Sequence, residues 1–352
     1  MHRRLLLLLT VFAASAALLL VACGGDDEES DGATPTSTAG IGGTGTPTAT
    51  AAAVYPMTVQ DRLGRSVTIR EQPERIVAAS PSAIELLYAA GGKAVARTTT
   101  ARVPAEVASL PDIGTAERPA YERMVAQNPD LVLADASLQA QFAQNFESSL
   151  AGVPVLFVGA QKYDDIAPSL ELVGKVINNP QQAAVAAKAM TDAKAQVQAL
   201  VAGKTAPRTL ILIGAPNDPF VALTDSFVGD LAGVAGAKNV AAGEPQSGPL
   251  PGYTKLSLER IVAADPEVIL TITAGPPGGP SLADGIKGNP AYATLSAVKN
   301  GRVHNLDVEV FLQSPSPRAA QGIKDLAALL FPAAGGGTAT ATPAATATAT
   351  PR

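Results

Sequence analysis

Two copies of one short pattern divide the chain into similar halves. Residues 121–133 read YERMVAQNPDLVL, and 137 positions further on residues 258–270 read LERIVAADPEVIL. Each copy places Glu-Arg at the start of a short helical pattern, then Pro and an acid, then a run of aliphatic residues typical of a buried strand. Self-similarity over this distance predicts two lobes that are built alike.

The repeated glutamates are Glu122 and Glu259, and each falls in the first turn of its predicted helix. A carboxylate near a helix N-terminus gains about 0.3–1 kcal/mol from the helix dipole, so helix chemistry alone explains a Glu at this place. It explains less readily the Arg that follows each Glu, and the matched position in both halves. In the second copy, Ser257 is the expected N-cap.

A segment without strand signal separates the two copies. Residues 166–204 carry Ala, Gln, Leu, Val and Lys at helical spacing, interrupted at Asn178-Asn179-Pro180. Pro after Asn suits a helix start, and a helix over 180–203 has a length of about 36 Å. We interpret 166–204 as a helical segment that joins the two lobes; the alternative is an ordinary packing helix.

On both sides of this segment, short strand patterns alternate with helical ones. This alternation predicts an α/β fold with mainly parallel sheets, in a first lobe over 54–165 and a second over 205–332. The predicted strands are 75–79, 130–134, 153–158, 209–214, 268–273 and 303–306, and a hairpin is predicted over 57–69.

The two ends of the chain have the composition of targeting and linker segments. His2-Arg3-Arg4 precedes an apolar run that ends near Cys23, which predicts a secretory signal over 1–22. The position of this lone Cys resembles a bacterial lipobox, whose thiol is lipidated; the alternative is an uncleaved membrane anchor. The acidic Thr/Pro/Gly-rich spacer over 23–53 and the Thr/Ala/Pro tail over 333–352 are predicted to be disordered.

Composition excludes several classes of function. A net charge of −5 gives no electrostatic case for nucleic acid. One Cys and two His residues exclude multi-cysteine metal sites and leave almost no material for a Ser/His/Asp triad. Neither G-x-S-x-G nor G-x-G-x-x-G follows a predicted strand. We therefore expect no enzyme and no resident metal or cofactor.

The core is similar to class III substrate-binding proteins of ABC importers, the group that includes binders of cobalamin, haem and ferric siderophores. The resemblance covers nearly all of 57–332. It is carried by residues 73–77 leading into 80–87, by 110–114, by the two Glu-Arg repeats, and by 231–240, 295–303 and Pro317-Arg318.

This resemblance implies two Rossmann-like lobes joined by one long rigid helix, with the ligand in the cleft between them and little hinge motion. It implies as partners an ABC permease dimer with its ATPase subunits, onto which Glu122 and Glu259 dock. We expect a monomer, held outside the cytoplasmic membrane by a lipid on Cys23.

Ligands of open α/β sheets bind beyond the carboxyl ends of the strands, and this rule selects the residues of the cleft. Aromatic members would suit a large flat ligand and arginines an anionic one, although each is equally well explained as a core aromatic or a surface arginine. The candidates are Ser80, Pro81, Ser82, Arg97, Arg102, Thr115, Arg118 and Ser137 in the first lobe, and Asn217, Phe220, Tyr253 and Phe311 in the second.

The scarcity of His reduces the number of candidate ligand classes. Capture of free zinc or manganese uses several His residues with carboxylates, which one core His cannot supply. His304 lies in an apolar strand pattern and is expected to be structural rather than an axial haem ligand, although a Tyr could ligate haem iron. Cobalamin and ferric siderophores arrive already chelated and therefore lead. The alternatives are a haem-binding protein of the same family or, further behind, a non-transport ligand-binding or adhesive lipoprotein.

Overall fold

The computed structural model describes residues 54–215, 218–247, 251–274 and 279–332. The predicted signal, the spacer with Cys23, the tail and the cleft candidate Asn217 all lie outside these residues. Within them, two β-sheets carry helices on both faces, so the α/β prediction is confirmed.

The first sheet belongs to the N-terminal half and is wholly parallel, with strand order β4-β3-β5-β6. An antiparallel hairpin of β1 and β2 precedes it, as the sequence predicts. The strands are β1 (Met57–Gln60), β2 (Ser66–Ile69), β3 (Ile76–Ala78), β4 (Ala94–Ala96), β5 (Leu131–Asp135) and β6 (Val155–Val158). The helices of this half are α1 (Pro81–Ala89), α2 (Tyr121–Val125) and α3 (Ala143–Ser149).

Two helices connect the halves. They are α4 (Ile166–Val176) and α5 (Pro180–Val201), and Pro180 opens the second as predicted. Its 22 residues span about 33 Å. Asn178 between the helices has a positive φ of 59°, a conformation that Asn tolerates better than most residues and that ends the first helix.

The second sheet is mixed, with order β10-β8-β7-β11-β12 and β9 beside β7. β7, β9, β11 and β12 run parallel, whereas β8 is antiparallel to both of its neighbours. The strands are β7 (Arg208–Gly214), β8 (Phe220–Ala222), β9 (Lys238–Asn239), β10 (Tyr253–Thr254), β11 (Val268–Thr273) and β12 (Val303–Asn305). The helices are α6 (Phe227–Val234), α7 (Leu258–Ala264), α8 (Leu282–Gly288), α9 (Ser296–Lys299) and α10 (Ala319–Leu330).

The core is divided by the alternation of side chains along the strands. In β5, Leu131 and Leu133 enter one hydrophobic cluster, while Val132 and Ala134 enter another on the opposite face. β7 and β11 alternate in the same way. The inner cluster contains residues of both sheets together with α1, α4, α5, α6 and α10. The two halves therefore share one continuous core, and each sheet has a separate outer layer of its own.

A buried carboxylate adds a polar junction between the halves. Glu85 of α1 accepts four hydrogen bonds from the segment that leads into α10: from Ser314 Oγ at 2.9 Å, Ser316 Oγ at 2.7 Å, and Arg318 Nε and Nη2 at 2.8 and 2.7 Å. We call this junction the clasp. The Glu85 side chain is 6% exposed and that of Arg318 28%. The clasp joins the first helix of the described residues to the last.

Glu85→Ala is expected to lower the free energy of unfolding by about 3 kcal/mol, because it leaves a half-buried guanidinium and two buried hydroxyls without their acceptor. Glu147→Ala is the matched control: its carboxylate is 60% exposed and pairs with Arg65 at the surface, so its loss should cost less than about 1 kcal/mol. Urea unfolding of both variants measures the difference. Equal losses would show that the clasp does not stabilise the junction.

Candidate functional site

The repeated helices α2 and α7 occupy equivalent places in the two halves. Met124 of α2 packs into the outer cluster of the first sheet, and Ile261, its counterpart in the repeat, packs into that of the second. Glu122 and Glu259 are exposed on these helices. The predicted N-cap is confirmed, since the Ser257 hydroxyl accepts from the Arg260 N–H.

The arginine that follows each glutamate is paired within its own half. Arg123 lies 3.8 Å from Asp112, and Arg260 forms an ion pair with Glu244. Among the described residues neither Glu122 nor Glu259 has an ion-pair partner. A hydrogen bond from the Ser257 hydroxyl and one from the backbone hold the pKa of Glu259 below its usual range, so that its carboxylate is ionised.

Each glutamate has an exposed apolar neighbour three residues further along. Val125 is 48% exposed and Val262 39%, and they hold the same position in the repeat. Residues at i and i+3 share one face of a helix. Both helices therefore present an exposed carboxylate beside an apolar side chain. In the first half this face borders an open groove of about 570 Å³, lined by Ala120, Tyr121, Glu122, Arg123, Val125 and Ser149.

A second set of repeated contacts, whose role the sequence analysis missed, fixes each helix to its sheet. The Asp130 carboxylate accepts from the backbone N–H of Arg75 at 2.9 Å, and the Arg75 guanidinium donates to the Gln127 carbonyl at 2.5 Å. In the second half, Glu267 accepts from the Arg208 N–H at 2.8 Å, and the Arg208 guanidinium donates to the Asp265 carbonyl at 2.9 Å. The recurring signal is an Arg at the start of a parallel strand, β3 in the first half and β7 in the second, together with the acid of the Pro-acid pair.

Three of the predicted cleft residues belong to a buried network around Asp135, at the carboxyl end of β5. Ser82 donates to Asp135, and Ser80 caps α1 and contacts Ser82 Oγ at 2.9 Å. The Ser137 hydroxyl donates to the same carboxylate at 2.5 Å. Ser80 and Ser82 are fully buried, so their hydroxyls form hydrogen bonds inside the protein, while Ser137 is exposed.

The predicted cleft cations differ in their freedom. The Arg97 guanidinium donates to the Thr98 and Thr99 carbonyls at 2.9 and 3.2 Å, which commits it to its own loop. Arg118 is exposed, and its backbone N–H donates to Thr115 Oγ at 3.2 Å. Arg102 has 72% of its side chain exposed, against 17% for Arg97.

The predicted aromatic residues are mostly part of the core. Tyr253 is 7% and Phe311 5% exposed, and burial raises the pKa of Tyr253 to about 12. Phe220 is half-buried, with Lys255 Nζ 3.8 Å from its ring centroid. Of the aromatic candidates, Phe220 is thus the one with surface to offer a ligand.

The structure brings two of the candidates together in a crevice between the halves, which we call the interlobe crevice. Pro81, Glu85, Thr100 and Arg102 line it from the first half, and Glu309, Gln313, Ser314 and Arg318 from the second. Its free space of about 10 Å³ is close to what one water molecule needs, so a larger ligand has to widen it. Glu309, absent from the predicted set, lies 3.8 Å from Arg102 and 3.6 Å from Arg318.

Two kinds of feature are absent from the described residues. They hold no group of three or more His, Cys, Asp or Glu side chains placed to bind a metal ion. No helix among them is long and apolar enough to cross a membrane.

Comparison with known proteins places these features in a family. A family model described as "Periplasmic binding protein" matches residues 76–310. An uncharacterized ABC transporter substrate-binding lipoprotein of Bacillus subtilis is 29% identical over 286 residues, which are 79% of this chain and 87% of that protein. A cobalamin-binding protein of Halobacterium salinarum is 27% identical over 288 residues, 78% of this chain and 73% of the relative.

A solved structure has the same fold. The crystal structure of a periplasmic haem-binding protein from Pseudomonas aeruginosa superposes with a TM-score of 0.63 at 26% identity, covering 74% of this chain and 93% of the other.

His304 lies on β12 and is not among the residues that line the interlobe crevice. Burial, with Arg302 and Lys287 nearby, lowers its pKa. The folded protein therefore binds this proton less readily than the unfolded chain. Its stability should fall as pH drops below the ordinary histidine pKa of about 6.5, and His304→Asn should remove that part of the loss. Urea unfolding of both proteins at pH 8 and pH 5 measures it. If wild type and His304→Asn lost the same stability between pH 8 and pH 5, the lowered pKa of His304 would be contradicted.

Proposed function

The chain belongs to the periplasmic binding protein family, and we propose that the ligand it delivers to an ABC importer is a metal chelate of the cobalamin type. The observation that carries this choice is the lining of the interlobe crevice, whose residues include no His, Cys, Met or Tyr. Haem iron needs such a ligand from the protein, whereas a corrinoid arrives with its cobalt coordinated. The cobalamin-binding relative of Halobacterium salinarum supports the same choice.

Haem is the second candidate, because a haem-binding protein has the same fold at 26% identity. Ferric siderophores, like corrinoids, need no protein ligand and form the third class. All three are bound in a substrate-binding protein without chemical turnover, and the relatives reported above are binding proteins rather than enzymes.

For delivery, we assign permease docking to Glu122 and Glu259. Each is an exposed carboxylate with no ion-pair partner among the described residues, on one of two helices in equivalent places. Complementary charge at such points raises the rate of encounter and fixes orientation more than it adds affinity. The exposed Val125 and Val262 beside them add an apolar contact to each docking point.

For location, we propose a monomer held at the outer face of the cytoplasmic membrane by a lipid on Cys23. The basic, apolar and Cys order of the N-terminus supports this, as does the lipoprotein relative of Bacillus subtilis. The long polar segment up to residue 53 then acts as a spacer between the membrane and the folded part.

The ligand is tested by thermal unfolding with cyanocobalamin, haem, a ferric hydroxamate and a ferric catecholate. A ligand at 100 times its dissociation constant adds about 2.7 kcal/mol, so cyanocobalamin should raise the unfolding midpoint by about 2–4 °C. The other three chelates are expected to have smaller effects. A larger shift with haem or with a siderophore would replace the corrinoid as ligand and leave the importer function in place.

The docking assignment is tested by Glu122→Ala combined with Glu259→Ala. Ligand-dependent uptake through the cognate importer should fall at least tenfold, because both docking charges are lost, while ligand affinity stays unchanged. Glu171→Ala is the control, since Glu171 is equally exposed but lies on α4. Full uptake by the double variant would rule out these two residues as docking points.

A further inference from the structure

The interlobe crevice contains a chain of charges of alternating sign. Glu85 Oε1 lies 2.7 Å from Arg318 Nη2, Glu309 Oε2 lies 3.6 Å from Arg318 Nη1, and Glu309 Oε1 lies 3.8 Å from Arg102 Nε. Two carboxylates and two guanidiniums leave the lining without net charge. This row of four charged side chains extends from one half of the molecule to the other.

The two carboxylates are not equally available to a ligand. Glu85 is 6% exposed and holds the four hydrogen bonds of the clasp, so it is fully occupied. Glu309 is 33% exposed and stands between two guanidiniums at distances longer than a hydrogen bond. Glu309 is therefore the acid of the crevice that a ligand entering it would meet.

The backbone around Glu309 is firmly placed. Residues 309–313 form a π-helical turn, a rare element that is frequent at functional sites. The Glu309 N–H donates to Asp307 Oδ1 at 2.7 Å, and the Ser314 N–H donates to the Glu309 carbonyl at 2.9 Å. Phe311 in the same turn is buried in the shared core. The backbone that carries the Glu309 side chain is thus held in place.

We propose that Glu309 selects ligands by charge: it neutralises Arg102, as Glu85 neutralises Arg318, so that the crevice admits chelates without net negative charge and disfavours polyanionic ones. This rests on the proposed function, in which the crevice widens to hold a metal chelate. Without Glu309, the exposed guanidinium of Arg102 would face the ligand unpaired and would attract an anion.

One further carboxylate, the exposed Asp307, interacts with Arg318 from two residues before Glu309, and every variant of the test retains it. The cations nearby are already engaged. Lys255 is paired with Asp218, and Arg97 is held by backbone carbonyls. Residues 216–217, 248–250 and 275–278, which the structure does not describe, include no charged residue in the sequence. Arg118 is an exposed cation without an ion-pair partner in the described part of the chain, and the experiment therefore includes it.

The test compares Glu309→Gln with the wild-type protein by equilibrium dialysis against cyanocobalamin and a ferric tris-catecholate, with the absorbance of each chelate as readout. Glu309→Gln should bind the catecholate at least tenfold more tightly than wild type, equivalent to about 1.4 kcal/mol. The gain should shrink in high salt, and cyanocobalamin affinity should change less than threefold. Glu309→Asp, which keeps the charge, should behave like wild type.

Two further variants separate the effect from a general change of net charge. Glu171→Gln on α4 removes the same charge elsewhere and should leave both affinities unchanged, and Arg118→Gln should leave the Glu309→Gln gain intact. A catecholate affinity that does not rise in Glu309→Gln, or rises equally in Glu171→Gln, overturns the proposal whichever chelate the wild type prefers. Failure of wild type to bind cyanocobalamin, with the catecholate gain preserved, contradicts only the proposed ligand.

Discussion

The clasp of Glu85 decides how the two halves of this protein meet. A carboxylate buried in an apolar helix is costly unless charged and polar donors surround it, and here three side chains more than 200 positions away supply four hydrogen bonds. The shared hydrophobic core supports the same arrangement from α4, α5 and α10. The clasp residues Glu85, Ser314 and Arg318 also line the interlobe crevice, so the junction that joins the halves forms part of its wall.

The repeat is explained by anchoring as much as by docking. Arg75 and Arg208 each tie the end of a short helix to the start of a strand, while Asp130 and Glu267 hold the backbone of those arginines. Together with the ion pairs of Arg123 and Arg260, these contacts engage the other charged residues of the motif within their own half. The glutamate of each copy is exposed to solvent and has no ion-pair partner among the described residues. A motif with this structural purpose thus also produces two matched surface points.

Local features of the fold were predictable from the sequence, and long-range features of the site were not. The strands that were predicted, the start of α5 at Pro180 and the Ser257 cap depend on neighbours within a few residues. The short strands β4, β8, β9 and β10 were not predicted. Ser82 was predicted to line the cleft, but its side chain is buried and donates a hydrogen bond to Asp135, which lies 53 positions further along the chain. Glu309 carried no local signal, because its importance comes from two arginines on different segments. Glu85 could have been noticed as a carboxylate within the apolar run of α1.

The energies of the two charged contacts across the crevice indicate where it opens. An exposed pair such as Arg102 and Glu309 contributes about 0.2–1 kcal/mol, whereas separating a buried carboxylate from its donors costs several times more. A ligand that widens the crevice therefore separates the outer pair and leaves the clasp closed. Its binding energy then includes the interaction it makes with the two charges it has separated. In this arrangement the contact that yields to the ligand is also the one that senses the ligand's charge.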